Sequence, residues 1–384
     1  VKSNQVGLVV KNVSEKATLK VPMCNQLVKK NSVNRAYLVK SSLYPVITWG
    51  LLTFALVGCN STAPTPINST LTNGANSGGS APKPQVVVTT AVLCDLTQQV
   101  AGDAVNVTCL LPAGADPHTY RTTPQDAKVI ASSQVIFYNG YNYEGSLIKS
   151  VQAAPANIVK VAVAEKAVPQ PLMINHHDHD HADDAHPKDS EKGQSKPDSE
   201  SAPDPHIWQD VRQGQRMTQV VETALGEKFP QHKETFGKNS AKYQARLVKL
   251  DQWIRQQTET IPPSQRKLIT THHAFAYYAK AYGLTVEAAL LGVSTEEQAT
   301  PTRLQELVRA IQQAAVPTIF AEATVNPKLM TAVAREAKVN LATSALFPEG
   351  TGNTESTRTY ITAMVANTNT IVTGLGGKVT PFKE

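Results

Sequence analysis

Apolar, β-branched runs alternate with amphipathic segments, and the alternation occurs twice along the chain. Residues 86–92, 105–111, 135–138 and 158–163 read as buried strands. Residues 268–271, 286–291, 318–322 and 339–344 repeat the pattern. Helix starts fall between them. Thr123-Pro124-Gln125-Asp126 offers a capping hydroxyl, a proline at the first helical position and an acid three residues after the cap. Thr300-Pro301 and Asn326-Pro327 are similar starts. Strands alternating with helices predict an α/β fold in which helices cover parallel sheets, here in two similar lobes.

A long helix is expected between the lobes, over residues 231–261. Tyr243, Leu247, Leu250 and Ile254 fall at i, i+4, i+7 and i+11, on one apolar stripe. Such a helix would span about 46 Å and must stop at Pro262-Pro263. The body is expected to divide into an N-terminal lobe (85–229), a linking helix (230–263) and a C-terminal lobe (264–384). One rigid helix limits hinge opening. The cleft between the lobes, at the carboxyl ends of the strands, is the expected ligand site.

The net charge of +6 over 384 residues suggests a nucleic-acid binder until its distribution is read. Residues 1–40 hold +7, which leaves −1 for the rest. A near-neutral body has no field to attract phosphate backbones, so no nucleic-acid partner is expected. The basic segment precedes an uncharged apolar run, 43–57, too short for a comfortable membrane span. Together they read as a signal peptide over residues 1–58; a start at Met23 would bring its basic region to ordinary length. An uncleaved N-terminal anchor is the alternative. Leu56-Val57-Gly58-Cys59 resembles a bacterial lipobox, which implies lipidation at Cys59 and attachment to a membrane surface. Residues 59–84, rich in Ser, Thr, Asn, Gly and Pro, read as a flexible tether. An exported setting allows a disulfide between Cys94 and Cys109; two buried thiols are the alternative.

Residues 175–205 break the pattern. They contain His176, His177, His179, His181 and His186, with nine acids and three lysines. So polar a segment reads as a surface loop whose histidines and acids form weak, exchangeable metal sites, or as a merely solvated acidic loop.

The clearest internal signal is a repeated tripeptide. Asp116-Pro117-His118 follows the second strand, and Asp204-Pro205-His206 ends the acidic loop. His272 directly follows a later strand. Each histidine alone is most simply a structural residue. Three at equivalent points of the topology favour a metal site, because three imidazoles fill three of the four tetrahedral positions around zinc. Glu349, after the last strand, is the best carboxylate for the fourth position; water is the alternative. Glu322 is either an orienting residue or a surface acid, His273 either supports the site or simply packs, and His232 reads as a surface residue.

These segments resemble a family. The stretch from Leu111 through Asp116-Pro117-His118 to Tyr120, followed by Thr123-Pro124-Gln125-Asp126, looks like the first ligand motif of the zinc and manganese solute-binding lipoproteins of ABC importers (the cluster A-I class). Asp204-Pro205-His206-Ile207-Trp208 resembles their second motif, and Thr271-His272-His273-Ala274-Phe275 their third. The resemblance implies two α/β lobes joined by one long helix, with His118, His206 and His272 as ligands. Histidine rather than carboxylate at position 272 resembles the zinc branch. The family's fourth protein ligand is an Asp, so Glu349 departs from it. The resemblance further implies a non-enzymatic, monomeric receptor that hands a divalent metal ion, Zn2+ or alternatively Mn2+, to a membrane permease. A zinc hydrolase and a metal-binding surface adhesin are rival readings. The hydrolase would need a general base and an organic-substrate pocket, and no motif supplies either.

Overall fold

The computed structural model describes residues 82–175 and 201–384. The leader, Cys59, most of the tether and the five loop histidines lie outside the described residues. Among those described, no helix is long and apolar enough to cross a membrane.

The first lobe runs β1 (Gln85–Val88), α1 (Ala91–Ala101), β2 (Asn106–Cys109), α2 (Pro124–Ala131), β3 (Val135–Tyr138), α3 (Gly145–Ala153), β4 (Val159–Ala162) and α4 (Val163–Ala167). Its strands form one parallel sheet in the order β2-β1-β3-β4. Side chains alternate across the sheet, as the two-residue period requires. Val86, Val88, Val135 and Phe137 enter the main core, whereas Val87 and Ile136 pack with Ile130, Val151 and Ile158 on the other face. The first apolar run extends past the strand because α1 begins at Ala91 and buries Val92, Leu93 and Leu96. Periodicity alone does not separate the end of a buried strand from the start of a buried helix. The start at Thr123 forms a complete capping box with Asp126.

A short antiparallel hairpin follows, β5 (Met173–Asn175) and β6 (Ser201–Pro203). The ends of the acidic segment are therefore paired strands rather than free loop. Next come α5 (Val211–Lys228) and α6 (Lys233–Glu259). The linking helix is shorter at both ends than residues 231–261, and its predicted stripe is buried. The helix α5, capped by Asp210 and packed on α6, is not foreseen from the pattern. Its apolar positions Met217, Val221 and Leu225 lie among arginines and glutamines that dilute the pattern. His232 is half-buried against Phe236 rather than free on the surface.

The second lobe runs β7 (Lys267–Thr270), α7 (Ala276–Tyr282), β8 (Thr285–Ala289), α8 (Pro301–Ala314), β9 (Thr318–Ile319), α9 (Lys328–Ala337), β10 (Asn340–Leu341) and α10 (Tyr360–Gly374). β7 pairs with β8, and β9 with β10, all in parallel. The Phe320 N–H donates to the Ile269 carbonyl (3.0 Å), which joins the two pairs in the order β8-β7-β9-β10. That order, second-first-third-fourth, is the order of the first lobe. Both α1 and α10 pack on α6, so the linking helix is anchored to both lobes.

Cys94 and Cys109 form a disulfide that ties α1 to β2, with a Cα–Cα distance of 5.7 Å and a sequence separation of 15. A loop of this size restricts the unfolded chain by about 3 kcal/mol. Reduction, or the double substitution Cys94→Ser/Cys109→Ser, is expected to lower Tm by roughly 6 °C. A thermal melt with and without reductant checks this, and an unchanged Tm would contradict it.

Candidate metal centre

The repeated tripeptide owes its geometry to the aspartate as well as to the proline. Asp116 Oδ1 accepts the backbone N–H of His118 (3.0 Å), and Asp204 Oδ1 accepts that of His206 (2.9 Å). Each Asp thus closes a turn onto the residue two positions on. The intervening proline fixes φ and brings no competing N–H. His272 is held differently: its backbone N–H donates to Glu322 Oε1 (3.1 Å), just past β9.

The three rings converge. His206 Nε2 lies 3.4 Å from His118 Nε2 and 3.4 Å from His272 Nε2, and all three ligand atoms lie within 4.8 Å of one another. In two of the rings the opposite nitrogen is occupied. His206 Nδ1 faces Asp204 Oδ1 at 2.9 Å, and His272 Nδ1 is hydrogen-bonded to Glu322 Oε2. Carboxylates at Nδ1 hold the proton there and turn the Nε2 lone pairs toward one point. His206 and His272 are fully buried, while His118 keeps 8% of its surface. A cavity of about 990 Å³ between the two lobes reaches that exposed edge.

Electrostatics separate the histidines. Burial, reinforced by the neighbouring histidines, holds His118 and His206 well below the ordinary imidazole range. Burial pulls His272 down too, but the charge and hydrogen bond of Glu322 outweigh it and raise His272 to about 9. Burial also raises Asp204, to about 6, against the opposing His206 N–H and nearby imidazoles.

Glu349 is buried beside this group but is not one of the three converging residues. Its Oε2 accepts a hydrogen bond from the Tyr143 hydroxyl, and its Oε1 has no partner among the described residues. Burial raises its carboxyl to about 8, with Asp116 and Glu322 adding to the effect. The preceding carbonyl, Pro348 O, accepts from Trp208 Nε1 (3.0 Å) and Gln209 Nε2 (2.7 Å), so the second histidine motif grips the Glu349 loop. Gly350 has φ +77°, and a Cβ there would meet Trp208 and Val92 at 2.9 Å. Only glycine fits that close approach.

The fold brings His118, His206 and His272 to one place and makes Glu322 the partner of His272. His273 donates its N–H to the Gly292 carbonyl (2.7 Å), while its Nδ1 is buried without a partner among the described residues. Tyr143 was missed. Its ring packs edge-on to His118 (4.9 Å) and His206 (5.4 Å), and nothing local in Asn142-Tyr143-Glu144 signals this. Asp116 and Asp204 were legible only as members of the repeat.

If the three imidazoles hold a metal, Glu322→Gln is expected to weaken it by about 10–100-fold. The amide would turn an N–H toward a nitrogen that already carries one. Chelator competition measures the change, and undiminished affinity would remove Glu322 from the site.

Residues 86–374 match the family model described as zinc-uptake complex component A, periplasmic (ZnuA). The chain is 30% identical over 305 residues to the metal ABC transporter substrate-binding lipoprotein FimA of Streptococcus parasanguinis, which covers 78% of this chain and 92% of the relative. It is also 30% identical to the manganese ABC transporter substrate-binding lipoprotein PsaA of Streptococcus pneumoniae, over 79% of this chain and 92% of that one. Among solved structures, the periplasmic zinc binding protein TroA of Treponema pallidum superposes with a TM-score of 0.67 at 29% identity, covering 76% of this chain and 99% of TroA.

Proposed function

This chain belongs to the zinc-uptake complex component A family, the metal-binding receptors of ABC importers, and from that premise we propose that its cargo is zinc, bound by His118, His206 and His272. Such receptors are transport components rather than enzymes, so the cavity beside His118 is not a catalytic pocket and the hydrolase reading falls.

The spacing of the Nε2 atoms carries the zinc reading. A tetrahedron with metal–nitrogen bonds of about 2.0–2.1 Å has edges of about 3.3–3.4 Å. Two of the Nε2 pairs are 3.4 Å apart. Three imidazoles, all neutral once the metal takes the place of the His272 proton, also form a donor set that suits zinc better than manganese, which favours oxygen. The fourth position goes to Glu349, through its unpartnered Oε1, or to water. Manganese is the second reading, favoured by that same buried carboxylate and by relatives named for manganese, PsaA among them. Competitive loading of the chain from Asn60 onward with zinc and manganese, followed by metal analysis, distinguishes the two. One tightly held zinc that resists manganese is expected; a preference for manganese would overturn the zinc reading.

The receptor works outside the cytoplasmic membrane, anchored through a lipidated Cys59, as a monomer that presents its metal to a permease. Relatives named as lipoproteins and the lipobox support the anchor. The segment holding His176, His177, His179, His181 and His186 serves as an accessory metal collector that raises the local metal concentration.

A further inference from the structure

We propose that the loop of residues 293–297 is a clasp that holds His118 in the metal site from the opposite lobe, with Thr295 as the positioning residue. This inference rests on the metal-receptor reading above.

His118 belongs to the loop between β2 and α2, and Thr295 to the loop between β8 and α8. These loops occupy equivalent places in the two lobes and meet across the cavity mouth. The Thr295 hydroxyl donates to Asp116 Oδ2 (2.6 Å), while the other oxygen of that carboxylate, Oδ1, accepts the His118 N–H (3.0 Å). One carboxylate therefore joins the second lobe to the turn that aims His118. The base of the clasp is tied to the other side of the site, because the Gly292 carbonyl accepts the N–H of His273, next to His272 (2.7 Å). Glu297 Oε2 accepts the Gly292 N–H (2.7 Å) and closes the loop on itself. Arg121 and Glu296 pair across the mouth at 2.7 Å, but both are largely exposed, so water and salt screen that pair. The Thr295–Asp116 bond is half-buried and charge-assisted, which makes it the stronger link.

The three histidines are not held alike. His206 and His272 each have a carboxylate at the ring Nδ1, both fully buried. Asp116 contacts His118 only through the backbone and spends its second oxygen on Thr295. His118 is also the member of the set with an exposed edge. It is the ligand whose position depends on the lobes staying together, and its withdrawal opens the site toward the cavity. Separation of the two loops, by a permease or by thermal motion, would break Thr295–Asp116 and loosen His118 first.

The test is stopped-flow zinc release into excess chelator from the loaded protein, beside amide exchange of His118 in the metal-free protein. Thr295→Val keeps the shape of the side chain and removes the donor. It is expected to speed release about tenfold and to speed exchange of the His118 amide, with little change in the association rate. Thr295→Ser restores the hydroxyl and should restore both quantities, which a general loosening of the loop would not. Arg121→Ala is expected to change release less than threefold, and less still at high salt. If Thr295→Val releases zinc at the wild-type rate while wild type holds one ion tightly, the clasp is wrong and the receptor reading stands. Failure of the wild-type protein to hold metal at the histidines would overturn both, the receptor reading first.

Discussion

His206→Ala is expected to abolish tight metal binding. His206 is the central member of the set, 3.4 Å from the Nε2 of each of the other two histidines. Its removal takes away one nitrogen donor and leaves the buried Asp204 carboxylate without the ring it orients. A four-ligand zinc site is worth about 10–16 kcal/mol near neutral pH, so one ligand accounts for roughly 10²–10³-fold in Kd. His118→Ala and His272→Ala should show losses of the same order. Chelator competition gives the numbers, and circular dichroism of the metal-free variants separates lost binding from lost fold. A variant that folds and keeps its tight ion would mean that the metal sits elsewhere.

Acidification is expected to produce the second large effect. At pH 7 His118 and His206 are already neutral, because burial and mutual repulsion disfavour their charged forms. His272 is not neutral, since its folded-state pKa is raised to about 9 by Glu322 against the opposing effect of burial. A metal ion bound at His272 Nε2 would therefore have to displace the proton there. The other proton stays on Nδ1, on the hydrogen bond to Glu322. Affinity therefore rises with pH up to about 9, by about tenfold per pH unit for each proton displaced. Glu349, raised to about 8 by burial, adds a second proton only if it binds the metal. Between pH 6 and 7.5 the slope is thus about tenfold per unit with water in the fourth position and about a hundredfold with Glu349. Calorimetry in buffers of different ionisation enthalpy counts the released protons independently. Binding that is flat from pH 6 to 8 would contradict the protonated His272 on which this expectation rests.

Much of the fold was legible because it is written in local pattern. Strand positions follow from short apolar runs, and the linking helix from one unbroken stripe ending at Pro262-Pro263. The limits of that legibility are equally physical. The strands β9 and β10 have two regular residues each where five and six were expected, because hydrogen bonding to neighbouring strands, not composition, sets where a ladder ends. α5 escaped notice because its buried face is narrow and its remaining surface is strongly polar.

The candidate site divides in the same way. His118, His206 and His272 could be named from a repeated tripeptide and a histidine at a strand end, since rigid turns at strand ends are where such folds put their ligands. Glu349, chosen by its place after the last strand, lies buried nearby but is not one of the converging residues. Everything that gives these residues their chemistry lies far off in the chain. The histidines are 88 and 66 residues apart, Glu322 is 50 residues from His272, and Tyr143 meets Glu349 across 206. The disulfide needed two Cα atoms brought to 5.7 Å, and the link from Thr295 to Asp116 needed two lobes closed on each other. The sequence by itself determined which groups are available and that short-range geometry aims them. Only the tertiary structure decided which are buried, which carry a proton and which face one another, because desolvation and charge–charge interaction depend on distance in space.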